Sequence, residues 1–147
     1  MTGNGEKCRL HTNVTLGKPW LEKTFGHLNA SFTRYTLDIP FARLNKTNGI
    51  AFASACTQAM PNKARQLAAV EIGNEPNFYT HFPPPTCSPD TDRPRGWDAL
   101  DYSKEWTTYA KNLTNRVELL KQSGRNDWFQ ALGLASSFAR DQWNLYV

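Results

Sequence analysis

The sequence predicts an α/β protein organised around a parallel sheet. Three observations carry that prediction: apolar residues switch between helical and strand spacing along the chain, the middle holds a short run that is nearly all apolar, and Pro, Gly or Asn punctuates most junctions. At 147 residues, with 39% hydrophobic and 20% charged residues, the chain is long enough for one domain with a sizeable core and unlike a disordered tail. Nothing suggests an internal repeat or a second domain, so residues 1–147 are read as one unit.

A helix is expected from about Lys18 to Leu28, with Pro19 in its first turn and Trp20, Leu21, Phe25 and Leu28 at helical spacing. From Thr33 to Ile39, Tyr35, Leu37 and Ile39 alternate with Arg34, Thr36 and Asp38 before Pro40, the pattern of a half-buried strand with a stop. A second helix follows from about Asn48 to Met60, with Asn48 or Thr47 as its cap and Pro61 beyond its end. Leu67-Ala68-Ala69-Val70-Glu71-Ile72-Gly73 suits a central parallel strand covered on both faces. The Pro-rich stretch from Asn77 to about Gly96 reads as a loop. Asp98 can then cap a long helix whose apolar face is Tyr102, Trp106, Tyr109, Leu113, Val117 and Leu120, with Gly124 at its end. Trp128 to Leu134 reads as a last strand. This alternation predicts βαβ units, and three strands with their helices make about three-eighths of a (β/α)8 TIM barrel.

Composition narrows the partners. The net charge of +4 is spread along the chain without a run of Lys or Arg, so no basic stripe argues for nucleic acid. No segment approaches the roughly 20 apolar residues of a membrane span, and the first residues lack the apolar middle of a secretory signal. Four N-x-S/T sequons, at Asn13, Asn29, Asn45 and Asn112, lean instead toward a glycosylated, secreted or extracellular ancestry. Cys8, Cys56 and Cys87 are odd in number and widely spaced; one pair can bridge in an oxidising compartment, and the sequence leaves open which. Dispersed histidines (His11, His27, His81) complete no metal-ligand spacing, so no metal is expected.

The chemistry concentrates in Val70-Glu71-Ile72-Gly73-Asn74-Glu75-Pro76. In parallel α/β sheets, catalytic groups collect where strands end at their C-terminal edge. Asn74 and Glu75 stand at that edge, where Pro76 stops the strand. A carboxylic acid there can protonate the oxygen of a departing sugar, and a neighbouring amide can hydrogen-bond the sugar's 2-hydroxyl. Glu71 shares the alternation of Gly73 and Glu75; an unpaired inward carboxylate is costly, so it is expected to pair with an Arg or Lys. Tyr79, Trp97 and Trp143 are candidate sugar-stacking rings, with core packing or loop anchoring as the competing role.

Asn-Glu-Pro closing an apolar strand resembles the acid/base motif of retaining glycosidases built on (β/α)8 barrels. The longer match, EIGNEPNFY with RPRGWDALDYSKEWTTYA downstream, is similar to glycoside hydrolase family 79, the fungal β-glucuronidase and heparanase-like enzymes. The resemblance spans roughly Val14 to Phe138, the middle of that family's barrel, about strands 3 to 5. It implies retaining hydrolysis of a β-glucuronide or related glycan, with Glu75 as general acid/base and Asn74 as its substrate-binding neighbour. Tyr79 joins them as a candidate substrate-binding residue only by its place as an aromatic ring near the strand end. An acidic residue often follows the Pro in the family's pattern, and Asn77 stands here instead. The carbohydrate is the only partner implied, and carboxylates with water suffice for the reaction, so no cofactor is expected.

A retaining glycosidase needs two carboxylates about 5 to 5.5 Å apart. The resemblance puts the nucleophile on a later strand, near the seventh, and no acid after Glu75 in this sequence has that setting. The chain is therefore expected to be a fragment that lacks the first two strands and the nucleophile. Two rivals to an active hydrolase follow: a catalytically inactive truncated remnant, or a glycan-binding module without hydrolysis.

Overall fold

The computed structural model describes residues 15–42, 45–79, 93–94 and 96–131. Within them the chain is α/β: strands β1 (Tyr35–Ile39), β2 (Leu67–Ile72) and β3 (Phe129–Gln130) form a wholly parallel sheet in the order β1-β2-β3, so strands consecutive in sequence are neighbours in space. Helix α1 (Lys18–Gly26) precedes the sheet, α2 (Lys46–Ala59) and the single turn α3 (Lys63–Gln66) link β1 to β2, and α4 (Ala99–Arg116) and α5 (Glu118–Gln122) link β2 to β3. That is the βαβ alternation expected from the sequence.

The helices form where the periodicity placed them, with instructive differences at their ends. Leu21 and Phe25 bury as expected in α1, whereas Trp20 (53% exposed) and Leu28 (49%) stay outside. The cap of α2 is neither Asn48 nor Thr47 but Asn45, whose side chain accepts from the Asn48 N–H at 3.1 Å. A cap must precede the helix and receive an N–H three residues on, and Asn45 meets both conditions. Asp98 does cap α4, accepting from Leu100 and Asp101. The long helix expected up to Gly124 is broken, however. Val117, fully buried, leaves the helical basin (φ −95°, ψ 113°) and separates α4 from α5. A β-branched residue is a weak helix former, and burial against the core outweighs its place in the periodic stripe.

The core lies between the sheet and these helices. Leu37 and Ile39 of β1 stand in register with Val70 and Ile72 of β2, and all four are buried. Against them pack Ile50, Ala53 and Cys56 of α2 and Tyr109, Leu113 and Val117 from the region of α4. Gly49 brings α2 close: a Cβ there would lie 1.8 Å from the Tyr109 hydroxyl and 3.0 Å from Ile39. The other face of the sheet is polar, with Thr36 and Asp38 exposed and Glu71 half-buried. Cys56 is a free, buried thiol whose pKa burial pushes up to about 11; Cys8 and Cys87, the other members of any bridge, lie outside the described residues. Among the described residues no helix is long and apolar enough to cross a membrane.

Candidate functional site at the end of the central strand

Strand β2 is the middle strand, and its C-terminal end is where the backbone departs most from regular structure. Gly73 continues the pairing, its N–H donating to the Ile39 carbonyl at 3.0 Å, and then turns the chain at φ +79°. Only glycine fits there: a Cβ would stand 2.7 Å from the Phe41 Cβ and 2.7 Å from the Tyr79 hydroxyl oxygen, in a backbone region that side chains disfavour. Asn74 follows, exposed, and then Glu75, half-buried, in the left-handed conformation (φ 50°, ψ 53°). Among the described residues Glu75 is the only non-glycine with positive φ. That conformation costs about 1–2 kcal/mol and persists only where the surroundings impose it, as happens at functional sites.

The residues that follow pack inward. Pro76–Phe78 form a 3-10 turn closed by the Tyr79 N–H to the Pro76 carbonyl at 3.1 Å, and Pro76 and Asn77 are buried. Tyr79 is 7% exposed, and its ring stacks on Trp97 with centroids 5.8 Å apart and planes 17° apart. Burial pushes the Tyr79 phenol well above its usual range, so the hydroxyl stays protonated; its oxygen also receives a hydrogen bond from the Asn74 backbone. The Arg93 guanidinium sits between three rings, 4.5 Å from the centroid of Phe41, 5.2 Å from Trp97 and 5.5 Å from Tyr79. One of its arms donates to the Ala42 carbonyl and another to Glu105 Oε2 at 2.7 Å, while Trp97 Nε1 donates to Glu105 Oε1 at 2.9 Å. A buried guanidinium is tolerated because it is paired and its planar faces meet aromatic rings.

Two more carboxylates lie on the polar face of the sheet. Asp38 of β1 and Glu71 of β2 are directly in register. Partial burial first, and then the Glu71 charge, raise the Asp38 pKa above its ordinary value, against a hydrogen bond from the Gly73 backbone. The Arg or Lys partner expected for Glu71 is not found among the described residues; the strand register sets an acid beside it instead. The sequence supplies only the two strand ends, Asp-Ile in β1 and Glu-Ile in β2; the parallel register then aligns the acids.

The structure thus brings Asn74, Glu75 and Tyr79 together at one strand end, but in different settings. Asn74 is exposed and Glu75 half-buried at the edge, whereas Tyr79 is packed inside with its ring against Trp97, and little of it is left to meet a ligand. Trp97 is likewise 2% exposed and anchored by Glu105, the loop-anchoring role; Trp143, His11 and His81 lie outside the described residues. Sequence reasoning missed Arg93 and Glu105 as partners, since nothing in the spacing of a loop arginine and a helix acid announces their contact. Among the described residues no group of three or more potential ligands can hold a metal. No family model matches the chain, and neither a characterised protein nor a solved structure is significantly similar to it.

Proposed function

We propose that this chain is part of the (β/α)8 catalytic domain of a retaining O-glycoside hydrolase acting on β-glucuronides or related glycans, about strands 3 to 5 of the barrel. In this reading β1, β2 and β3 are consecutive barrel strands, and Thr36, Asp38 and Glu71 face the barrel interior. Glu75 is the general acid/base and Asn74 its substrate-binding neighbour. The observation that carries the reading is the strained, left-handed Glu75 at the C-terminal end of the middle parallel strand, the place where such sheets gather their chemistry. The protonated carboxyl donates its proton to the glycosidic oxygen as the bond to the sugar breaks. In the second half-reaction the carboxylate removes a proton from the water that releases the sugar. The covalent step needs a second carboxylate about 5 to 5.5 Å away, which the proposal requires and leaves unassigned.

The secreted, glycosylated setting belongs to the same reading. Of the sequon asparagines, Asn29 and Asn45 are exposed and Asn112 is half-buried on α4. The decisive experiment is hydrolysis of a chromogenic β-glucuronide by the purified chain and by Glu75→Gln. Turnover that falls by about 100-fold or more in the variant supports the assignment of Glu75 and means that a nucleophile exists in this chain or in a partner chain, against the expected truncation. Equal turnover in both would remove Glu75 from the reaction. No turnover from a chain folded by circular dichroism would favour the non-hydrolytic reading, a remnant or a glycan-binding module, which calorimetric titration with glucuronides then separates.

A further inference from the structure

The strain at Glu75 raises the question of what holds it, and the residues below the turn answer it. We infer that Tyr79 is a positioning residue: its hydroxyl, seated in the space Gly73 leaves and bonded to the Asn74 backbone, holds Glu75 in its left-handed conformation. This rests on the reading of Glu75 as the general acid/base. It also gives Tyr79 a role different from a sugar platform, since the tyrosine acts from beneath the turn and through the backbone.

Three observations converge on this role. The Tyr79 oxygen lies 2.7 Å from the position a Gly73 Cβ would occupy, so the hydroxyl fills the inside of the turn that leads to Glu75. The ring that carries it cannot swing away, because Trp97 stacks on it and the Arg93 guanidinium lies 5.5 Å from its centroid. Both neighbours are in turn fixed by one carboxylate, Glu105 of α4, which takes Trp97 Nε1 on one oxygen and Arg93 on the other. A chain of contacts therefore runs from α4 through Trp97 and Arg93 to Tyr79, then to the Asn74 backbone and Glu75. A side chain held by such supporting contacts keeps its geometry at the reacting atoms far better than one on an unsupported loop.

Tyr79→Phe is the test, because it keeps the ring and its stacking while removing the hydroxyl. The first readout is hydrogen exchange at the Asn74 amide, followed by NMR. In the unchanged chain that amide is expected to be protected. In Tyr79→Phe its exchange should rise about ten-fold or more while the amides of α4 keep their protection. Unchanged exchange at Asn74 would overturn the inference. This readout needs no turnover, so it decides whether Tyr79 holds the turn independently of the glycosidase reading.

The second readout is the ratio of kcat/KM for a glucuronide with a poor leaving group to kcat/KM for one whose leaving group needs no proton, because kcat/KM reports the first half-reaction alone and leaves out the base-assisted release of the sugar. Loss of acid catalysis lowers the first and spares the second. Glu75→Gln measures the full effect, and Tyr79→Phe is expected to show the same selectivity, with about a tenth of the original kcat/KM for the poor leaving group. If Glu75→Gln slows both substrates equally, the acid/base reading fails. If Glu75→Gln is selective and Tyr79→Phe slows both equally, the positioning role alone fails.

Discussion

Among the described residues two places seat a tyrosine hydroxyl against a glycine, and they do so for different reasons. At Gly49 the Tyr109 hydroxyl lies 1.8 Å from where a Cβ would stand, in the seam between α2 and α4. Gly49 keeps an ordinary helical backbone, so the glycine supplies room and nothing more. At Gly73 the Tyr79 hydroxyl lies 2.7 Å from the absent Cβ, but the backbone is also at φ +79°, and two residues later Glu75 adopts φ 50°. Here the glycine supplies both room and a conformation. Close packing alone accounts for the first contact, whereas the second builds a turn that presents a carboxylate. Strain without a structural need is the feature that separates a candidate site from a well-packed core.

The sharpest way to break the comparison is Gly73→Ala. The change meets Phe41 and Tyr79 and forces a side chain onto a left-handed backbone, so about 3 kcal/mol or more of stability should be lost in urea titrations. A loss below about 1 kcal/mol would mean that the turn can relax and that its geometry is not imposed. Gly49→Ala meets only the steric part and is expected to cost about 2 kcal/mol. Adding Tyr109→Phe should recover part of that cost, although Tyr109→Phe alone removes a weak bond to the Lys46 carbonyl (3.4 Å) and costs less than about 1 kcal/mol. Cys56 reports on the same seam. Its buried thiol, with a pKa of about 11, should resist alkylation at pH 8 in the native chain and react faster in Gly49→Ala, but not in variants of the strand-end turn.

Smaller effects test the strain and the acid pair. Glu75→Gly releases the left-handed penalty while loosening the unfolded chain, so a net gain of up to about 1 kcal/mol is expected, together with loss of any acid catalysis. A destabilised Glu75→Gly would show that the carboxylate has a structural partner. Asp38 is the mildest case. Its folded-state pKa is raised, so the folded chain binds this proton more tightly than the unfolded chain does. Ionised Asp38 therefore costs stability above the raised pKa, and the cost fades as pH falls through it into the ordinary aspartate range. Asp38→Asn should accordingly gain about 0.5 kcal/mol or less at pH 7, small because the group is exposed, and nothing near pH 3. A loss at pH 7 would contradict that sign.

Much of this architecture was legible in the sequence because it depends on periodic burial. Leu37 and Ile39 in β1, the apolar run of β2 and the Tyr102, Tyr109, Leu113 stripe of α4 all bury as their spacing requires, and Asp98 caps as its position requires. Position of the candidate site was legible too, since Pro76 after an apolar strand marks the strand's end. Its conformation was not. Asn-Glu-Pro announces a turn, but the left-handed Glu75 depends on a hydroxyl four residues on and on contacts that cross from Arg93 and Glu105. The helix break at Val117 and the choice of Asn45 over its neighbours escaped for a similar reason, because local patterns offered several solutions of similar energy.

The sequence by itself determined the alternation of helices and strands, the apolar face of each and the placing of Glu75 at a strand end, because these follow from hydrophobic spacing and from residues that forbid continuation. Only the tertiary structure decided which side chains meet: Asp38 beside Glu71, Glu105 holding Trp97 and Arg93, and Tyr79 turned inward beneath Gly73. Those pairings depend on strand register and on the approach of α4 to the sheet, and neither is encoded in any short stretch of residues.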